Sequence, residues 1–98
     1  MYKTIFIDEF YLNEKNKNLK ILDVREVDEF HNGHIPSAKN LPLSTLQNSI
    51  NTLEKAEAYY VICQSGGRSS AACDFLSTQG FDVTNVMGGM AAWKGEIE

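Results

Sequence analysis

Short apolar runs alternate with amphipathic stretches along this chain, the pattern of an α/β layer built on a parallel sheet. Lys3 to Ile7 reads as a first strand. Asp8 then caps a helix through about Glu14, with Phe10 and Tyr11 facing inward. The polar stretch Asn13 to Asn18 reads as a loop, and Leu19 to Val24 as a buried strand. Glu26 to Asn32 forms a short acidic helix, stopped by Gly33, which accepts positive φ. Ile35-Pro36 is extended and Lys39 to Leu41 is a short strand. Leu43, Leu46, Ile50 and Leu53 recur at helical spacing, which predicts a helix over Leu43 to Leu53. Ala58 to Ile62 is the most apolar run and the expected central strand. Arg68 to Gln79 follows as a helix with Ala72, Phe75, Leu76 and Gln79 along one face and Gly80 as its stop. Asp82 to Met87 is the last strand, and Gly88-Gly89 turns the chain into a short helix carrying Trp93. Without repeat, low-complexity tract or linker, residues 1–98 read as a single domain.

Right-handed crossovers bring the carboxyl ends of all such strands to one edge of the sheet, where ligands bind. Asp23, Arg25, Cys63 and Gly88 fall at those ends. The run Tyr59-Tyr60-Val61-Ile62-Cys63-Gln64-Ser65-Gly66-Gly67-Arg68-Ser69-Ser70 is the most specific of them. An apolar strand ends at a cysteine, a loop with two glycines follows, and an arginine opens a helix. This order sets a thiol at the mouth of a ring of backbone N–H groups on the positive end of a helix dipole, which favours a thiolate and an anion above it. The nucleophile must be exposed and its pKa lowered. Gly66 and Gly67 let the loop curl with N–H groups inward, Arg68 adds a cation with forked donors, and Ser65 and Ser69 add hydroxyls. A buried structural cysteine before a glycine turn is the bland alternative. The coincidence of cysteine, glycines, arginine and helix start favours a cysteine nucleophile acting on a small anionic group.

Composition narrows the partners. The 98 residues carry a net charge of −4, so no basic footprint argues for nucleic acid. No window approaches the roughly 18 consecutive apolar residues of a membrane span. Met1 to Ile5 lacks the charged-then-apolar order of a signal peptide, so the expected location is the cytoplasm. With a helix starting near Arg68, Cys73 lies over a turn along it, and a bridge to Cys63 would need Cα atoms within about 7 Å. A reduced thiol pair is expected. The two cysteines and two histidines lack metal-ligand spacing, and no cofactor is called for.

The chain resembles the single-domain rhodanese-like sulfurtransferases. The resemblance rests on Leu22-Asp23-Val24-Arg25-Glu26, on Gly33-His34-Ile35-Pro36-Ser37-Ala38 with Asn40-Leu41-Pro42, on Cys63-Gln64-Ser65-Gly66-Gly67-Arg68-Ser69, on Gly80-Phe81, and on Gly88-Gly89-Met90 with Ala92-Trp93. It implies a five-stranded, mainly parallel sheet flanked by helices, and a cysteine that carries sulfur as a persulfide. It makes Cys63 the nucleophile and Gln64, Ser65, Gly66, Gly67, Arg68 and Ser69 the cradle. The partners it implies are a small anionic sulfur donor such as thiosulfate and an acceptor that is cyanide, a thiol or a protein thiol. Arg68 lies five positions after Cys63, the spacing C-x4-R. Phosphatases that use a cysteine cradle have C-x5-R, a larger ring suited to three equatorial oxygens. A phosphatase or arsenate reductase on the same fold and a non-catalytic regulatory module are the alternatives. Asp23 is expected to bond to the backbone of the loop and Arg25 to form a structural ion pair, with supporting rather than catalytic roles. His34 is expected to make a structural hydrogen bond, His31 to be solvated, Trp93 to anchor packing and Cys73 to fill the core.

Overall fold

The computed structural model describes the backbone of residues 2–17 and 19–98, and the side chains of the same residues apart from 14–17. Five strands, β1 (Lys3–Phe6), β2 (Ile21–Asp23), β3 (Lys39–Asn40), β4 (Ala58–Ile62) and β5 (Asp82–Met87), form one sheet in the order β1-β5-β4-β2-β3. Every neighbouring pair runs parallel, and Asp23 sits opposite Ile62, as Phe6 does Met87. The carboxyl ends of β2, β4 and β5 therefore share one edge. β4 is central, as its apolar run predicts.

The alternation of β4 decides where the cysteine points. Tyr59, Val61 and Cys63 fall on one face and Ile62 on the other. The first face is covered by α4 (Gly67–Thr78), whose buried residues Ser69, Ala72, Cys73 and Leu76 follow the i, i+3, i+4, i+7 spacing of one helical stripe. The second is covered by α1 (Ile7–Lys17) and the segment after β5, where the fully buried Phe10 meets Tyr60 and Trp93. Helices thus flank both faces, and β4 is buried between two cores.

Several predicted elements shift. Ile7 opens α1 instead of closing β1, which puts Asp8 in the first turn rather than at the cap. The helix continues through residues 13–17, expected as loop, because the backbone carries on over good helix formers such as Glu14 and Lys15. Asn18 lies outside the described residues. The predicted helix over Leu43 to Leu53 is broken into a 3₁₀ turn (Leu43–Thr45), α3 (Leu46–Ser49) and a second 3₁₀ turn (Ile50–Thr52). Its hydroxyls compete with the helical ladder: Thr45 donates to the Pro42 carbonyl, Ser49 to Thr45 and Thr52 to Ser49. Leu46 and Leu53 are nevertheless buried as the spacing requires. Gln79, expected along the same face of α4 as Ala72, Phe75 and Leu76, is its exposed C-cap. The acidic helix α2 (Val27–His31) is capped at Glu26 and ends ahead of Gly33, whose φ is +148°.

Candidate active site

The loop after β4 is shaped from behind. The N–H of Met90 donates to the Cys63 carbonyl at 2.9 Å, that of Ala91 to Gln64 at 2.9 Å and that of Gly88 to Ser65 at 3.2 Å. A trans peptide sets its N–H opposite its C=O. Tying three successive carbonyls to the 88–91 turn therefore aims the N–H groups of residues 64 to 66 the other way, into the loop. Gly66 completes the curl at φ +124°, and a Cβ there would come within 3.0 Å of Met87 Sδ. Gly67 then opens α4.

At the centre of this ring is Cys63 Sγ. It accepts the N–H of Gly66 at 3.1 Å and of Ser69 at 3.3 Å, and Ser69 Oγ lies 3.4 Å away. The thiol was expected to be exposed. It is buried instead, with Cys63 only 1 % accessible, because the strand's alternation turns it under α4 and the loop wraps around it. Burial on its own pushes the thiol up. The bonds from the Ser69 hydroxyl and from the N–H groups of Ser69, Gly66 and Ser65 outweigh it and hold the pKa below that of an ordinary cysteine. Cys73 is the contrast within the same core: burial, with Asp74 and Cys63 nearby, pushes it up to about 12. Both thiols are free. Cys73 packs as the sequence suggests.

Ser69→Ala is expected to raise the pH midpoint of Cys63 alkylation by iodoacetamide by about one unit, since a hydrogen bond to a charged group is worth about 1.5 kcal/mol. The neutral thiol donates to Ser69 Oγ, and on ionisation the hydroxyl proton otherwise held by Asn85 Oδ1 turns to the sulfur; its loss disfavours the thiolate, so alkylation at neutral pH slows. A midpoint unchanged in the folded variant would remove the Ser69 hydroxyl from the cradle and leave only its N–H.

The family model described as "Rhodanese-like domain" matches residues 6–96. The chain belongs to the rhodanese-like family. YtwF of Bacillus subtilis (strain 168) is 42% identical over 85 residues, covering 87% of this chain and 82% of that one. The thiosulfate sulfurtransferase GlpE of Shewanella oneidensis is 32% identical over 93 residues, covering 94% and 92%. Among solved structures, a rhodanese-like domain protein from Staphylococcus aureus superposes with a TM-score of 0.90 at 38% identity, covering 98% of this chain and 96% of that one.

Within this rhodanese-like fold, Arg68 and Asp23 find partners other than those expected, and Glu29 and Asn85 join the site without having been singled out in the sequence. Arg68 does not turn its fork on the loop's interior. Its Nη1 and Nη2 donate to the two oxygens of Glu29 at 2.6 and 2.9 Å. Glu29 is the N3 residue of α2 and also accepts the Glu26 N–H at 3.1 Å. The Arg68 hydrogen bonds and this backbone donor draw its carboxyl down to about 2, while Arg68 is pushed further up. The sequence signal was an acidic capping pair placed on the helix that borders the mouth. Asn85 was also missed. It is buried on β5, accepts the Ser69 hydroxyl at 2.5 Å and offers Nδ2 to Met87 Sδ at 3.3 Å. Its signal was a polar residue at an inward position of an apolar strand.

Asp23 was expected to hold the loop backbone. Its buried carboxylate is instead taken up by Arg25, through Nε at 3.0 Å, Nη2 at 2.8 Å and the Arg25 N–H at 3.0 Å. The two residues are neighbours across a tight turn, so the nearest cation wins. Arg25 is the structural ion-pair partner expected of it and also donates to the Gly33 carbonyl at 2.8 Å. His34 bonds Phe30 O through Nδ1 at 2.8 Å and stacks on the Phe30 ring at 3.7 Å. His31 is exposed, and Trp93 packs edge-on against Tyr11. Gln64, Ser65 and Gly67 are exposed at the mouth. No group of three or more metal-binding side chains gathers among the described residues, and no described helix is long and apolar enough to cross a membrane.

Proposed function

We propose that the chain is a sulfurtransferase that moves a sulfane sulfur through a persulfide on Cys63. In the first step the Cys63 thiolate attacks the outer sulfur of a small anionic donor such as thiosulfate. The new S–S bond forms as the donor's S–S bond breaks, and sulfite leaves with the electron pair. In the second, cyanide or an acceptor thiolate attacks the outer sulfur of the persulfide. Thiocyanate or an acceptor persulfide departs, and the Cys63 thiolate is restored. The observation that carries this reading is a buried sulfur whose N–H and hydroxyl partners hold it below the ordinary thiol range. The same donors suit charge developing on the departing group. Gln64, Ser65, Gly66, Gly67, Arg68 and Ser69 form the cradle, and Asp23 with Arg25 braces the neighbouring turn. The family membership and the similarity to a thiosulfate sulfurtransferase support the reaction class.

The test is intact-mass analysis after incubation with thiosulfate and no acceptor. The protein is expected to gain the mass of one sulfur atom at Cys63, and cyanide is expected to remove it as thiocyanate. An aryl phosphate is expected to remain uncleaved, because the C-x4-R ring is one residue shorter than a phosphate cradle. No sulfur adduct together with brisk phosphate release would replace this reading with a phosphatase.

A further inference from the structure

The cradle's one side-chain cation is spent before any ligand arrives. Both terminal nitrogens of Arg68 bond Glu29, whose carboxylate is fixed on its other side by the Glu26 N–H. The other nearby guanidinium, Arg25, is closed off by Asp23 and the Gly33 carbonyl. Two arginines thus meet two carboxylates, and the chain as a whole carries −4. Among the described residues, the mouth offers an anion a ring of N–H dipoles, with both arginines already paired. Such a ring suits one negative charge on the reacting sulfur. A compact dianion brings a second charge with nothing to meet it, and Glu29 stands beside it.

We propose that Glu29 is a specificity-determining residue, which neutralises Arg68 and so turns the site away from compact dianionic donors such as thiosulfate toward singly charged persulfides. This rests on the sulfurtransferase reading and refines its donor. Thiosulfate remains a substrate, taken up more slowly than a persulfide of a small neutral thiol. In both cases the Cys63 thiolate forms a bond to the outer sulfur. The donor's single S–S bond breaks, and its electron pair leaves on sulfite in one and on the alkyl thiolate in the other.

The experiment measures single-turnover loading of Cys63 by intact mass, with thiosulfate and with the persulfide of 2-mercaptoethanol as alternative donors. In Glu29→Gln the amide oxygen still accepts the Glu26 N–H, so α2 stays capped while the charge is lost. The ratio of the thiosulfate to the persulfide loading constant is expected to rise about tenfold in this variant. With the wild-type protein, thiosulfate loading is expected to be flat or to rise with added potassium chloride. In Glu29→Gln it is expected to fall, as for capture of an anion by an unpaired cation. A role confined to holding α2 in place would move neither the ratio nor the salt slope. An unchanged or lower ratio, or wild-type loading that falls steeply with salt, would overturn the assignment to Glu29 and leave sulfur transfer standing. If neither donor loads the wild-type protein, the sulfurtransferase reading fails, and this assignment with it.

Discussion

Cys63→Ser is expected to yield a folded protein that takes up no sulfur. The serine hydroxyl is smaller than the thiol and still accepts the N–H groups of Gly66 and Ser69, which bond Sγ at 3.1 and 3.3 Å. The ring therefore keeps its central acceptor, and the melting temperature should stay within a few degrees of the wild type. The chemistry does not survive. A hydroxyl is un-ionised at neutral pH, and oxygen in place of sulfur cannot hold the persulfide. Turnover with thiosulfate and cyanide is expected to fall by about a thousandfold or more, with thiocyanate release and melting followed on the same sample. Substantial turnover by the folded variant would take Cys63 out of the mechanism.

Gly89→Ala is expected to be nearly as damaging, although Gly89 lies outside the cradle. A Cβ at this position would fall 2.6 Å from the Gln64 carbonyl oxygen and closer still to that of Cys63. Those oxygens are the ones held by Ala91 and Met90. The alanine must push the 88–91 turn off the loop, leaving buried carbonyls without donors. The expected cost is about 3 kcal/mol, or a melting temperature lower by about 10 to 20 °C in a chain of this size. In whatever fraction stays folded, the pH midpoint of Cys63 alkylation is expected to move up toward that of a free thiol. Gly67 provides the comparison. A Cβ there meets nothing within 4 Å, and its φ is not among the positive ones. Gly67→Ala should leave stability the same or slightly higher. If Gly89→Ala melts like Gly67→Ala, the carbonyl staple is not what holds the loop.

The parts of this fold that were legible in the sequence are those fixed by local pattern. β4 falls on its predicted residues because an uninterrupted apolar run has few ways to be buried, and β5 because Val83 and Val86 stand between the glycine turns at Gly80 and Gly88. The Cys63 loop was legible because glycines, an arginine and a helix start stand within a few residues of the thiol. What escaped depends on partners distant in the chain. Glu29 and Arg68 are 39 positions apart, and nothing between them announces that the fork of one closes on the carboxylate of the other. Ser69 and Asn85 are 16 apart and meet only because β4 and β5 are neighbours. Asp23 misled for the opposite reason: its best partner was only two residues away, so a longer reach to the loop was unnecessary. The broken helix over Leu43 to Leu53 shows hydroxyls overriding a correct apolar spacing, and Cys63 shows that a depressed pKa does not require exposure when donors surround the sulfur.

The staple between the 88–91 turn and the Cys63 loop also sets an order of events. All the cradle side chains precede residue 70, but the donors that aim its peptide groups come from Gly88, Met90 and Ala91. As the chain is made, the cysteine emerges well before the segment that activates it. A chain interrupted after Met87 would carry every cradle residue without the donors that shape the loop, and its Cys63 is expected to behave as a common thiol. In the proposed sulfurtransferase reaction, reactivity would be switched on by the closing contacts of folding, leaving an incomplete molecule no activated sulfur to spend on the wrong partner.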